Sequence, residues 1–579
     1  MEQMITVYVD NKKIEVPAGA TLLEAAEKAG KRIPTLCYLE KINKIGACRI
    51  CLVEVEGARN LAASCVTPAV EGMKIYTNTE RVRKARKLNL ELLLSDHKME
   101  CLTCLRNGNC ELQELAEEMG IREVRFEGKK NDFPMDESTP ALVRDPQKCV
   151  LCRRCVSVCD QVQTVEAIVP LKRGFDTIVG PAFYDELAES PCVQCGQCSL
   201  VCPTGAITER EYVEEVWNAI QDPDKHVVVQ TAPAIRVSIG QEFSLEPGTV
   251  STGQMVAALR ALGFDKVFDT DFTADLTIME EGHELIQRLT KGGTLPMITS
   301  CSPGWIKFIE HFYPELVDHL STCKSPQQMF GALVKTYYAE KFNIDPEKIV
   351  SVSIMPCTAK KFEAGRPEMT DSGFADVDYA ITTRELARMI KQAGIQFENL
   401  EDEKFDEPLG ISTGAALIFG ATGGVMEAAL RTAYEVVTEK ELPSLDFETV
   451  RGMQEIKEAE VDLEGTKVKV AVAHGLKNAR QLLDLIKEGK ADYQFIEIMC
   501  CPGGCIGGGG QPIPTNTEIR EKRIAGIYKG DAAMEIRKSH ENPAIQQLYK
   551  EFLKEPLGEK SHHLLHTKYT KRGKYLKTE

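Results

Sequence analysis

Fifteen of the 21 cysteines in this 579-residue chain lie before residue 203, most of them in runs with two residues between neighbours. Thiolates at that spacing present soft donors to a single metal centre, so zinc or an iron–sulfur cluster dictates the local fold wherever such a run occurs. The opening residues, Met1-Glu-Gln-Met-Ile-Thr-Val, run straight into a strand pattern with no basic segment followed by an apolar one. No stretch is long and apolar enough to read as a membrane span. The expected compartment is the cytoplasm, with no membrane contact, where clustered cysteines serve metals rather than disulfides. Zinc, held by isolated groups of four, is the competing reading, and the individual spacings decide against it.

The first group is Cys37, Cys48, Cys51 and Cys65, spaced C-x10-C-x2-C-x13-C. It follows a hairpin pattern (Met4-Ile-Thr-Val-Tyr-Val, Asp10-Asn11 as turn, Lys13-Ile-Glu-Val) and a short helix from Leu22 stopped by Gly30. Four thiolates, three of them on one loop, suit a 2Fe–2S cluster, although the first gap is longer than in plant ferredoxins. Residues 80–95 predict a helix with a solvated charged face. Beyond it stand His97, Cys101, Cys104 and Cys110. Three cysteines leave a cluster one ligand short, and imidazole is an accepted iron ligand, so His97 is the expected fourth. Next, Cys149, Cys152, Cys155 and Cys159 are echoed in register by Cys192, Cys195, Cys198 and Cys202, with Pro203 after the second run and Asp160 after the first. This is the two-cluster bacterial ferredoxin pattern, in which the fourth cysteine of each run crosses to the other cluster. One 4Fe–4S cluster is expected on Cys149, Cys152, Cys155 and Cys202, and the other on Cys192, Cys195, Cys198 and Cys159.

From residue 214 the character changes. Apolar runs such as His226-Val-Val-Val-Gln and Val350-Ser-Val-Ser-Ile-Met alternate with helical stretches, which predicts α/β architecture. Six cysteines remain: 301, 323, 357, 500, 501 and 505. Their separation excludes a local finger. Most lie in Gly- or Pro-rich loops just after apolar strands, where open α/β sheets place their sites. A phosphate cradle is disfavoured for the loop ending at Gly510, because no Lys-Ser/Thr follows it. The formal charge of −16 argues against a nucleic-acid partner.

Three of these loops, Thr299-Ser-Cys-Ser-Pro-Gly-Trp305, Met355-Pro-Cys-Thr-Ala-Lys-Lys-Phe-Glu363 and Glu497-Ile-Met-Cys-Cys-Pro-Gly-Gly-Cys505, resemble the signature motifs of FeFe hydrogenases. The resemblance extends over the whole chain, including the modular N-terminal half of the clostridial type. It implies a multidomain α+β and α/β fold. A β-grasp 2Fe–2S ferredoxin-like domain would span 1–80, a small His/Cys 4Fe–4S domain 81–126, a two-cluster ferredoxin-like domain 127–213, and a large α/β H-cluster domain 214–579.

The H-cluster of that family is a 4Fe–4S cube joined through a cysteine to a diiron dithiolate carrying CO and cyanide. By motif position the resemblance puts Cys357, Cys501 and Cys505 on the cube, with Cys505 bridging. Lys360, Pro356, Gln327, Met355, Met499 and Phe419 then line the diiron pocket. It also implies a proton relay through Arg288, Glu284, Ser321, Glu281 and Cys301. Without it, Glu281 and Glu284, three apart on a predicted helix, read as a solvated face.

One departure bears on the metal. The family usually carries two adjacent cysteines in the first loop, the first a proton shuttle and the second a cube ligand. Here the pair is Cys301-Ser302. Cys301 ligating in place of Ser302 is the favoured reading. The others are Ser302 as alkoxide, or compensation by Cys323 or Cys500. Ala234 stands where some relatives carry a serine.

The implied reaction is 2H⁺ + 2e⁻ ⇌ H₂, with ferredoxin or NAD(P)-linked flavoprotein subunits as electron partners. Because this chain carries no flavin or nucleotide fingerprint, pyridine-nucleotide chemistry needs a partner chain. Two further readings are the catalytic subunit of an electron-bifurcating complex, and a non-catalytic sensor or iron–sulfur assembly relative. Lys360, Glu281 and Glu284 count against the last.

Overall fold

A computed structural model describes residues 3–463 and 466–573; residues 1–2 and 574–579, at the outer ends of the first and last expected domains, lie outside it. The N-terminal hairpin forms as the alternation requires. Strands Met4–Val9 and Lys12–Pro17 pair antiparallel around Asp10 and Asn11, both at positive φ. This pair of left-handed residues gives the turn a twist that matches the strands. Helix Leu22–Lys28 starts at Thr21 with a reciprocal Thr21–Glu24 capping box and ends before Gly30 at φ +78°. Strands Leu52–Val55, Ala62–Ala63 and Lys74–Tyr76 complete a five-stranded sheet under this helix, the order of a β-grasp unit.

Helix Glu80–Asp96 packs its Val82, Leu90 and Leu94 face inward and leads to His97. The ferredoxin-like segment is held by strand Leu142–Arg144 antiparallel to Ile207–Glu209, so its two ends meet. An added antiparallel ribbon, Val169–Leu171 with Ile178–Gly180, lies between its two cysteine runs.

The C-terminal half is built on two four-stranded sheets. One is wholly parallel: Lys266–Asp269, His226–Thr231, Ile349–Met355 and Tyr379–Thr382. Its central strand Ile349–Met355 is buried throughout, as expected with helices on both faces. The other runs Met297–Ile298, Phe495–Met499, Thr466–His474 and Ile456–Leu463, with the last pair antiparallel. The strands ending at Ile298, Met355 and Met499 each deliver one cysteine loop at their C-terminal ends. Two loops thus come from one sheet and one from the other, and the site lies between the sheets. Helix Thr517–Ala533 and the segments up to residue 572 wrap this half. Arg431, fully buried on helix Gly424–Thr438, ties them in through Asp531, with Nη1 to Oδ1 at 3.0 Å and Nη2 to Oδ2 at 2.9 Å.

Candidate functional site

The thiols assemble as the spacings require. Cys37, Cys48, Cys51 and Cys65 are all buried, and the Sγ atoms of Cys51 and Cys65 are 3.3 Å apart. Cys149, Cys152, Cys155 and Cys202 line one cavity of the ferredoxin-like segment. Cys159, Cys192, Cys195 and Cys198 line the next. The crossing of the fourth cysteines is therefore present in the geometry. A third cavity is walled by His97, Cys101, Cys104 and Cys110. Gly205 belongs there because a Cβ would come within 2.6 Å of Cys104 Sγ.

These donor sets fit iron–sulfur clusters. Each cavity is rimmed by four soft or imidazole donors in otherwise apolar walls. His97 is buried, its Nδ1 has no hydrogen-bond partner among the described residues, and burial holds its pKa down to about 4. A neutral imidazole with a spare lone pair is what a metal requires.

The last accessory cavity abuts the catalytic loops. Gly196, at φ +69°, lies so close that a Cβ would meet Thr358 Oγ1 at 2.5 Å, and a Cβ on Gly509 would meet the Cys195 carbonyl at 2.3 Å. Thr358 Oγ1 donates to the Gln194 carbonyl (2.7 Å), Gln197 Nε2 to the Gly507 carbonyl (2.8 Å) and Gln163 Nε2 to the Cys500 carbonyl (3.1 Å). In the glycine-rich run before Gln511, Gly509 makes the approach to the accessory half while Gly508 and Gly510 pack on Pro356, so close backbone packing explains its composition without phosphate.

Within the catalytic half, Cys357, Cys501 and Cys505 come together from two loops; burial, and after it the nearness of the other thiols, raises the thiol pKa of Cys357 and Cys505. Met355, Met499, Phe419 and Gln327 are buried around them, as is Pro356, whose carbonyl accepts from the Gly510 amide at 2.8 Å. Ala234 is fully buried in the same cluster as Phe419 and Met499. Lys360 Nζ is fixed by three acceptors: the Cys301 carbonyl (3.2 Å), Ser325 Oγ (2.7 Å) and Glu363 Oε2 (2.8 Å). Gln327 Nε2 also donates to Glu363 (3.0 Å), and Ser353 Oγ donates to Gln327 Oε1 (2.8 Å). Glu363 and Ser325 were not singled out from sequence. The three-residue spacing of Lys360 and Glu363, one helical turn, was the available signal.

The acids on helix Thr270–Lys291 are not solvated. Glu281 is 3 % exposed and Glu284 7 %, which corrects the reading of this face from helical position alone: the segments after residue 319 cover it. Arg288 Nη2 donates to Glu284 Oε1 at 2.6 Å, and Ser321 Oγ to Glu284 Oε2 at 3.3 Å. Ser321 also hydrogen-bonds Glu281, yet burial outweighs this and lifts the Glu281 carboxyl to about 8. Burial raises the Cys301 thiol well above its ordinary value. Arg288, Glu284, Ser321, Glu281 and Cys301 form one line running inward. Cys323 joins it at the side, its Sγ 3.9 Å from Glu284 Oε2.

Together, buried thiol-lined cavities in series and an acid chain leading to a second thiol group define an iron–sulfur oxidoreductase that handles protons. The chain belongs to the FeFe, or iron-only, hydrogenases, a family of enzymes. Residues 225–509 match the iron only hydrogenase large subunit, C-terminal domain, and residues 517–572 the iron hydrogenase small subunit. A 2Fe–2S iron–sulfur cluster binding domain matches 2–80, the NADH-ubiquinone oxidoreductase-G iron–sulfur binding region 86–125, and a 4Fe–4S binding domain 188–208.

Among relatives, the NADP-reducing hydrogenase subunit HndD of Solidesulfovibrio fructosivorans is 53 % identical, covering 98 % of this chain and 99 % of its own. Iron hydrogenase 1 of Clostridium pasteurianum is 42 % identical over 98 % of this chain and 100 % of its own. A solved FeFe-hydrogenase of Chlamydomonas reinhardtii superposes with a TM-score of 0.57 at 45 % identity, over 62 % of this chain and 99 % of that one.

Proposed function

We propose that this chain interconverts protons and dihydrogen, 2H⁺ + 2e⁻ ⇌ H₂, with an H-cluster held by Cys357, Cys501 and Cys505 and lined by Lys360, Pro356, Gln327, Met355, Met499 and Phe419. The carrying observation is the buried line from Arg288 through Glu284, Ser321 and Glu281 to Cys301, which ends beside those thiols. Four accessory clusters accompany it: one 2Fe–2S on Cys37, Cys48, Cys51 and Cys65, and three 4Fe–4S, one of them on His97, Cys101, Cys104 and Cys110. The bound clusters supply the electron chemistry and the metal at which protons are reduced.

The protein's own share is the proton. Arg288, at the outer end, holds Glu284 in place through an ion pair only 10–12 % exposed. Ser321 both donates and accepts, so it passes a proton between the two carboxyls. Glu281, with its carboxyl lifted to about 8, is protonated at neutral pH and lies close enough to it to exchange that proton in either direction. Cys301, kept as a thiol, is the last group to hold it. Lys360, fixed by Ser325 and Glu363, presents a positive charge to the pocket.

The four domains span 1–80, 81–126, 127–213 and 214–579. The name of the Solidesulfovibrio relative, an NADP-reducing hydrogenase subunit, supports a role as one subunit of an NAD(P)-linked complex. The partners are then flavoprotein subunits or ferredoxin, and the location the cytoplasm. Among the described residues no helix is long and apolar enough to cross a membrane. The test is hydrogen evolution from reduced methyl viologen by anaerobic protein matured with the diiron unit. CO-inhibited evolution is expected. Its absence from protein with a full iron complement overturns the assignment.

A further inference from the structure

Five thiols, Cys301, Cys357, Cys500, Cys501 and Cys505, meet at the converging loops, whereas a 4Fe–4S cube takes four protein sulfurs. We propose that Cys500 is the ligand that completes the cube with Cys357, Cys501 and Cys505, in place of the hydroxyl of Ser302, leaving Cys301 free to handle protons. This rests on the reading that these loops hold a cube.

The arrangement of the two loops carries the argument. They run side by side: the Ile498 amide donates to Thr299 Oγ1 (3.2 Å), the Thr299 amide to the Ile496 carbonyl (3.0 Å), and the Cys500 amide to Ser302 Oγ (3.2 Å). Ser302 Oγ is thus engaged by backbone. As a hard oxygen donor it also suits an iron–sulfur cube poorly. The same contact brings residue 500 against residue 302, so a side chain at either position reaches the same space. Gly304 marks that space: a Cβ there would come within 2.7 Å of Cys500 Sγ, so the sulfur sits over the first turn of helix Pro303–Phe312. Cys500 also contacts the thiol of Cys501, its neighbour in the loop.

The other candidates face elsewhere. Cys323 lies beside Glu284 in the acid line. Cys301 belongs to the apolar cluster of Ala234, Phe419 and Met499, toward Glu281, whereas Cys500 and Cys501 pack with Trp305 and Cys192 on the opposite side. Were Cys301 a ligand, the acid line would end without its terminal thiol. Cys500 also touches Cys195, but the cavity there already has four thiols of its own. Cys500 is therefore surplus at the accessory cluster and needed at the cube. Ligation requires no redox step: the thiol proton leaves to solvent as the Fe–S bond forms during cluster insertion.

The test uses full-length protein without the diiron unit, reading iron content and the EPR of reduced clusters. Cys500→Ala is expected to lose about four iron atoms per chain and one 4Fe–4S signal. The 2Fe–2S signal stays, showing that the chain is folded. Ser302→Ala and Cys301→Ala are expected to keep the full complement. The double variant Ser302→Cys/Cys500→Ala, which returns a thiol from the neighbouring loop, is expected to restore the lost cluster and so identify it as the cube. Full iron in Cys500→Ala overturns the proposal, as does a loss that the double variant does not repair, or a loss in Cys301→Ala or Ser302→Ala. A wild-type protein with all its iron that evolves no hydrogen after maturation breaks the hydrogenase reading instead and leaves this one standing.

Discussion

The two halves of the molecule gather their cysteines by opposite means. Before residue 214 each donor set comes from one or two short runs: Cys149, Cys152 and Cys155 need only their own loop, closed by Cys202 across one ribbon. In the catalytic half the cysteines sit at the ends of strands from two sheets, more than 140 residues apart between Cys357 and Cys501, and long-range packing of the two sheets brings them together. A local set is robust to its surroundings but fixed in kind. A convergent set tolerates relocation of one donor, because neighbouring strands offer alternative positions. It also leaves room for the acid line and for Lys360, held by Ser325 and Glu363, which no single loop supplies.

Breaking the proton line has the largest expected effect. Glu281→Gln keeps the shape and removes the titrating group, so hydrogen evolution should fall by about 10²–10⁴-fold with iron content unchanged. In the wild type, evolution should decline as pH rises through about 8, where Glu281 ionises. Stability moves the other way. The folded-state pKa is raised from 4.5 to about 8, so burial of this acid favours the fold most below pH 4.5. That contribution is lost as pH rises to about 8. At pH 7 the Gln variant should therefore be at least as stable as the wild type by thermal melting, while nearly inactive.

Weakening the frame comes next. Arg431→Ala removes the cation shared by Glu427 and Asp531, which keep Arg451 and Arg537 as partners. A loss of about 1.5–3 kcal/mol is expected in denaturant unfolding of the catalytic half, with the accessory cluster signals intact. Equal loss of those signals would show that the two halves do not fold separately. In the N-terminal half, His97→Cys should retain the cluster and lower its potential by on the order of 100 mV, since imidazole ligation raises it. Loss of the cluster on this exchange would show that its loop does not adapt. Smallest of all, Lys84→Ala removes an exposed pair with Glu80, 77 % and 74 % accessible, and should leave Tm unchanged.

The same contrast governs what the sequence reveals. The hairpin at Asp10-Asn11, the capping box at Thr21 and the doubled ferredoxin run are written in adjacent residues, so spacing alone locates them. His97 was legible because three cysteines leave a cluster one donor short. The burial of Glu281 and Glu284 was not, because the segments that cover their helix, around Ser321 and His566, come from distant parts of the chain. Glu363 and Ser325, which fix Lys360, and the contact between Ser302 and Cys500 likewise depend on strands brought together only in the fold. A phosphate cradle was already disfavoured for the glycines before Gln511, but the approach of Gly509 to Gly196 was not legible, because it joins parts of the chain more than 300 residues apart.

The central claim is that hydrogen chemistry in one half is wired to clusters in the other. It is tested most directly by exposing oxidised, matured protein to hydrogen without any mediator and following the accessory clusters by EPR. Reduced 2Fe–2S and 4Fe–4S signals should appear under hydrogen and fail to appear when CO is present. Clusters that stay oxidised under hydrogen, in protein that still evolves hydrogen from reduced viologen, would contradict it.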